Sequence, residues 1–189
     1  PNEVFEYFED FSGSNLNPSW EQDSGSWSND TFDSKSTVSI EPSSNSQFLR
    51  NDDYNTSSSF ILENSSYSTE SGDSQAHPGI IFYADNGHND HVYWRPHSYN
   101  TSSNIQVAYY NGSLNMAENF SGIGNWNEWL NTTVKVNGDT AEVFQNGTTK
   151  GTRNGLQYDG TYSNIGLVAH NSGKNYWDYL AIRKYAATE

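Results

Sequence analysis

The sequence predicts an all-β fold, two antiparallel sheets packed as a sandwich. Three observations predict it. No segment of the 189 residues sustains helical periodicity, while short alternating runs recur between turn residues. Hydrophobic residues make up only 33%, yet aromatic residues make up 15%, so rings must fill a core that few Leu, Ile and Val supply. The polar bulk is Ser, Asn and Thr, which suits turns and solvent-facing strand positions.

Taken in order, Phe5 to Phe11 reads as a first strand closed by Ser12-Gly13, and Trp20 and Trp27 bracket a turn-rich stretch around Asp23-Ser24-Gly25. Thr37 to Ile40 is a short strand stopped by Pro42. Residues 42 to 59 are almost all polar and read as an irregular segment around Phe48-Leu49. Ser59 to Glu63 starts a central strand, followed by a Ser-rich link over 64 to 75. Gly79 to Ala84 is the next strand, and residues 85 to 90 form a hairpin loop into His91 to Arg95. Ile105 to Tyr110 ends in a turn at Asn111-Gly112. Trp129 to Val136 alternates cleanly, and Asn137-Gly138-Asp139 turns it into Thr140 to Phe144. After Asn146-Gly147, the runs Asn164 to Ala169 and Tyr176 to Ile182 complete the set. Nothing divides the chain, so residues 1–189 are expected to form one domain.

The charge of −14 repels phosphate backbones, which disfavours nucleic acid and anionic membranes as partners. An acidic excess also keeps a protein soluble in high salt, and ordinary solubility explains it as well. No apolar run approaches membrane-spanning length, so no direct membrane insertion is expected. The absence of cysteine excludes a disulfide scaffold but not export. The opening Pro1-Asn2-Glu3 is what a processed chain or an excised domain would show. Eight glycosylation sequons, beginning at Asn29, Asn55, Asn64, Asn100, Asn111, Asn119, Asn131 and Asn146, point to an extracellular glycoprotein, although a chain so rich in Asn, Ser and Thr also produces them by chance.

The order of the pieces resembles the concanavalin A-like lectin and glucanase superfamily, especially laminin-G-like domains of archaeal and bacterial surface or virion proteins. Glu9 to Gly13 with Leu16 and Trp20 resembles that family's opening. Gly79 to Tyr83, Asp85-Asn86-Gly87 and Val92-Tyr93-Trp94 resemble its central hairpin. Trp129 to Val136 with Asn137-Gly138-Asp139, Val143-Phe144 and Asn146-Gly147 resembles its next strand pair, and Gly166-Leu167 with Trp177 to Tyr185 its closing strands. The resemblance implies a jelly-roll sandwich. It leaves the ligand open, because this fold hosts lectins, hydrolases, lyases and adhesion modules.

Hydrolases on this fold pair two carboxylates at alternate strand positions, one to protonate the leaving oxygen and one to attack. Glu6 and Glu9 lie on opposite parities, and Asp10 and Asp178 stand alone in their strands. The chain is therefore not expected to be an enzyme. The nearest thing to catalytic chemistry is lyase-like: Tyr93, Arg95 and His97 share one parity with Gln106 on the next strand, and Pro96 interrupts the run before His97. The same cluster suits sugar binding, since sugars stack flat C–H faces on rings and offer hydroxyls to polar side chains. Counting Ile80, Phe82 and Ala84, and Ile105, Val107 and Tyr109, as core, Tyr83 and Tyr110 turn away from the core. Tyr83, Tyr93, Arg95, His97, Gln106 and Tyr110 are thus the candidate ligand-binding set, with Trp126 at the rim, while a plain solvent-facing sheet of tyrosines is the competing reading.

His88, His91 and Asp85 invite zinc, but no third His or Cys lies at a ligand spacing. The resemblance implies a structural calcium joining the first and last strands, with Glu9, Asp10 and Asp178 at the matching places; a hydrogen-bonded Asp178 is the alternative. Asn51-Asp52-Asp53 is a second acidic stretch, read as solvated. Three functions follow: an extracellular module binding a glycan or cell-surface polysaccharide at a cell or virion surface, a non-binding domain that spaces or decorates such an assembly beside other copies, and a polysaccharide lyase.

Overall fold

The computed structural model describes residues 5–42, 46–69, 77–85, 90–99, 104–111, 114–121, 127–156, 163–170 and 173–185. They form fifteen strands: β1 (Tyr7–Glu9), β2 (Trp20–Gln22), β3 (Ser28–Phe32), β4 (Lys35–Ile40), β5 (Gln47–Asn55), β6 (Ser59–Ser68), β7 (His77–Ala84), β8 (Asp90–Tyr99), β9 (Asn104–Asn111), β10 (Leu114–Ser121), β11 (Leu130–Asn137), β12 (Thr140–Gln145), β13 (Thr148–Asn154), β14 (Asn164–His170) and β15 (Asn175–Lys184). Sheet one runs β13-β12-β11-β6-β15-β4-β3, with β1 also paired to β15, and sheet two runs β10-β9-β8-β7-β14-β5-β2. The pairings described are antiparallel. Each sheet draws strands from both halves of the chain, so the chain crosses between layers repeatedly and both layers share one core.

Alternation builds that core. On sheet one, the rows Ala141–Val136–Phe60 and Val143–Val134–Leu62–Ile182 face inward and are buried. Phe60 meets Phe82 and Tyr83 of sheet two edge-on, at ring-centroid distances of 5.8 and 5.7 Å. Burying one such side chain contributes roughly 1.5–3 kcal/mol. The next inward row is different: Gln145–Thr132–Asn64–Leu180 is mostly polar although buried. Ser66 and Ser68, fully buried, continue this polar half of the interior.

That polar half explains two departures from the sequence reading. The Ser-rich link is partly strand: β6 continues through Ser68 because β11 and β15 supply ladder partners on both of its edges. The polar segment around Phe48-Leu49 is β5, zipped to β14 and β2, with Leu49 fully buried as its core anchor. The strands β2, β3, β10 and β13 also went unpredicted: β2, β3 and β13 are short or poor in apolar residues, and β10 carries a register shift between Asn115 and Glu118 that breaks its alternation.

A third departure corrects the inward–outward count. Ile81 pairs with Gly166 and Ala84 with Asn164, so β7 carries one residue more than β14 over this span, a β-bulge. Tyr83 takes it up with φ of 52°. The bulge flips the alternation: Tyr83 joins the core at 5% exposure, and Ala84 moves to a separate cluster on the outer side of sheet two. Tyr83 is therefore not a solvent-facing ligand residue. Its hydroxyl lies 3.1 Å from the Ser58 carbonyl and 3.3 Å from that of Gly138, tying two turns together.

The sequons divide as well. Asn64 is fully buried, so it cannot accept a glycan in the folded chain. The Asn29 amide nitrogen sits 3.1, 2.6 and 3.1 Å from the carbonyls of Phe11, Gly13 and Asn15, so its nitrogen is used internally. Asn55, Asn131 and Asn146 are exposed. Asn100 and the side chains of Asn111 and Asn119 lie outside the described residues.

Candidate functional site

The outer side of sheet two carries the candidate site. Along β8, Val92 and Trp94 point into the core, which sends His91, Tyr93 and Arg95 to the other side. Register continues this side across the sheet as one row, Glu21–Arg50–Gly166–Ile81–Tyr93–Ala108. Ile81, Ala84, Tyr93 and Val168 form their own buried cluster here, with Phe48 packed against it.

Phe48 on β5 and His91 on β8 have β14 and β7 between them. Their rings nevertheless meet at 5.5 Å, edge-on, and Phe48 packs against the apolar cluster. Two glycines permit the close layering. A Cβ on Gly166 would stand 2.5 Å from the Leu49 carbonyl oxygen and 3.0 Å from Ile81 Cδ1, and one on Gly79 would stand 2.9 Å from both the Trp94 carbonyl oxygen and Val168 Cγ1.

Arg95, half-buried, lays its guanidinium 4.4 Å from the Tyr93 ring centroid. Burial, the larger effect, pushes the Tyr93 phenol above its ordinary pKa, while the Arg95 charge pulls it the other way. The hydroxyl therefore stays protonated at neutral pH. At the β2 edge, Arg50 is 5% exposed and holds Asp23 at 3.1 and 3.3 Å and Glu21 at 2.8 Å.

The structure brings Tyr93 and Arg95 together. Backbone register sets Arg95 opposite Gln106 and His91 opposite Tyr110 on β9, so five of the candidate positions, Tyr93, Arg95, His97, Gln106 and Tyr110, occupy two adjacent strands. The ladder shifts between Arg95 and Tyr99, which places His97 within an irregular stretch beyond Pro96. The side chains of His97, Gln106 and Tyr110, and the whole of Trp126, lie outside the described residues.

Sequence reasoning missed Phe48, Ile81, Val168, Arg50 and the role of His91. His91 shares the parity of Tyr93 and Arg95, and that signal was available; its place beside an acidic loop drew it toward zinc instead. The structure packs the His91 ring against Phe48 and 6.1 Å from Tyr93. His88 lies outside the described residues, and among those described no group of three His, Cys, Asp or Glu side chains converges.

The residues proposed for calcium do not fit one ion. Glu9 pairs with inward-facing Leu180 and accepts hydrogen bonds from the Phe11 amide at 3.0 Å and the Trp20 indole at 3.2 Å. Asp10 accepts from the Ser12 amide at 3.0 Å, and hydrogen bonds from the Ser12 hydroxyl first and this amide second hold its carboxyl below the usual range. Asp178 lies on the outer side of sheet one, ion-paired with Lys35. Three carboxylates on different sides, each satisfied by the protein, make no shared oxygen cage.

No protein-family model matches the chain, and no curated protein sequence matches it. Solved structures do. The Emp47p carbohydrate recognition domain superposes with a TM-score of 0.71 at 11% identity, covering 98% of each chain. Carbohydrate-binding module CBM66 from Bacillus subtilis gives 0.69 at 11% identity over 88% of this chain and 96% of its own. A β-glucanase from Bacillus licheniformis gives 0.68 at 14% identity over 95% and 98%. At such identities the likeness is one of architecture, and it makes this chain an antiparallel two-sheet jelly-roll sandwich.

Proposed function

We propose that the chain is a carbohydrate-binding module, displayed outside the cell on a cell or virion surface, that holds a glycan on the outer side of sheet two without transforming it. The observation that carries this reading is the Arg95 guanidinium laid on the Tyr93 ring, itself part of an apolar cluster on that side. A ring and a delocalised cation supply a flat surface and hydrogen-bond donors side by side, the pairing that a sugar's C–H face and hydroxyls require. Binding modules and a carbohydrate recognition domain among the structural neighbours support the same reading. The exposed sequons Asn55, Asn131 and Asn146 support an extracellular place.

Binding is favoured over catalysis on two grounds. Glu21 and Asp23, at the β2 edge of sheet two, are already held by Arg50, which leaves them poorly placed as an acid and nucleophile pair. Tyr93 would have to give up its proton to act as a base, and burial opposes that. A glycan array tests the proposal. Binding to one glycan class, lost in Arg95→Ala, is expected; a blank array, or an Arg95→Ala variant that binds as the parent does, overturns it.

A further inference from the structure

The opposite side of the molecule carries a second set of rings that the Tyr93–Arg95 site does not use. Phe32, Tyr67, Trp129 and Tyr176 converge on the outer side of sheet one. Phe32 stacks on Tyr176 at 4.0 Å and 16°, and lies 4.8 Å from Tyr67; Tyr67 lies 5.5 Å from Trp129. Register explains the meeting: Tyr176 pairs with Tyr67, while their neighbours Trp177 and Ser66 are buried on the other side. Tyr176 is the buried base, and the other three rings are partly open to solvent.

The surface is held in shape at some cost. Phe32 and Lys35 flank a two-residue turn whose central residues, Asp33 and Ser34, both take positive φ (53° and 64°) without being glycine. Asp33 accepts the Trp129 indole N–H at 3.0 Å, so the strained turn fixes the outermost ring. Lys35 stands 4.7 Å from the Trp129 ring centroid while paired with Asp178, and Lys174 stands 5.1 Å from that of Tyr176 while paired with Asp30 at 2.7 Å. Between the Lys35 and Ser39 positions of β4, on the same side, the Thr37 hydroxyl is buried with no protein hydrogen-bond partner.

We propose that this aromatic surface is a second carbohydrate subsite, selective for neutral glycans, which makes the chain bivalent with its two sites on opposite sides. It rests on the binding-module reading for its ligand class but on none of the same residues. Charge selects the ligand. Both lysines are already neutralised, and the three aspartates outnumber them, so among the described residues of this surface an anionic glycan or phosphate has no free cation to meet. Charged groups set among the rings also disfavour a protein partner, since interface cores are depleted of charge. Sugar C–H faces suit the open rings, and hydroxyls can both donate to the aspartates and accept from the lysines.

The test is affinity electrophoresis of the whole chain through gels holding mixed-linkage β-glucan, xylan, galactomannan or dextran. The parent, Trp129→Ala, Tyr67→Ala, Arg95→Ala and the Trp129→Ala/Arg95→Ala double variant are compared, with melting curves to confirm folding. Linked sites on one polymer gain about 10²–10⁴ in avidity. On a polysaccharide that retards the parent, Trp129→Ala and Tyr67→Ala should each weaken retardation at least ~10-fold, with no relief from high salt, and the double variant should run free. Tyr67→Ala keeps the Trp129–Asp33 bond, so loss in both variants is not a turn artefact. Loss in Trp129→Ala with none in Arg95→Ala keeps this site and removes the Tyr93–Arg95 site. Parent-like retardation of both ring variants, or no retardation of the parent by any of the four polymers, overturns the second site.

Discussion

Tyr83 separates a simple alternating strand from the bulged one the structure contains. If β7 alternated without interruption, Tyr83 would face solvent and its replacement by Ala would fall within ~0.5 kcal/mol of the parent. In the structure the ring packs edge-on to Phe60 at 5.7 Å and lies 5.4 Å from Phe82, at 5% exposure. Truncating a buried ring of this size costs about 3–5 kcal/mol. Removing only the hydroxyl, in Tyr83→Phe, loses the contact with the Ser58 and Gly138 carbonyls and costs about 1 kcal/mol. For a chain of this length each kcal/mol lowers Tm by roughly 2–4 °C. Tyr83→Phe should therefore melt a few degrees early and Tyr83→Ala at least ~6 °C early, both read by tryptophan fluorescence or circular dichroism. A Tyr83→Ala protein that melts with the parent would refute the bulge and the inward ring with it.

Three further outcomes follow. Gly166→Ala drives a Cβ to 2.5 Å from the Leu49 carbonyl oxygen, a ladder atom with nowhere to go, and should cost about 1–3 kcal/mol in urea titration; an unchanged midpoint would show that β14 and β5 are not so closely layered. Burial raises the pKa values of Tyr7, Tyr54, Tyr67, Tyr93 and Tyr179, so the unfolded chain gives up these protons first. Stability is then full below pH ~10 and is lost as pH rises above it, so phenolate absorbance and loss of the β-sheet signal should rise together; ionisation at ordinary pH in an intact fold would contradict this. Chelation by EDTA should leave Tm unchanged, because Glu9, Asp10 and Asp178 are satisfied by protein donors, and a lowered Tm would restore a structural calcium.

The all-β class was legible because alternation and turn residues act locally. Leu130 to Gln145 shows why: Leu130, Val134, Val136, Ala141 and Val143 all point inward where the pattern put them. Asn64 to Ser68 was not legible as strand. Those residues owe their conformation to β11 and β15 on either edge, and the interior they face is polar, so the apolar signal that marks a strand is absent. At the site, Tyr93 and Arg95 were legible through parity on β8. Phe48 was not, since it meets His91 only across a sheet assembled from distant strands. Tyr83 was misplaced because a bulge is a property of two strands compared, and Asp178 lacked a visible partner because Lys35 reaches it from β4.

The proposed function stands or falls on a glycan sitting on the outer side of sheet two. An NMR titration of isotope-labelled chain with an oligosaccharide of the class it binds tests this most directly. The amide signals of Ile81, Tyr93, Arg95 and Val168 should move together along one saturation curve, and the Arg95→Ala protein should lose that curve. Shifts that leave those four residues still while the sugar is bound elsewhere would contradict it.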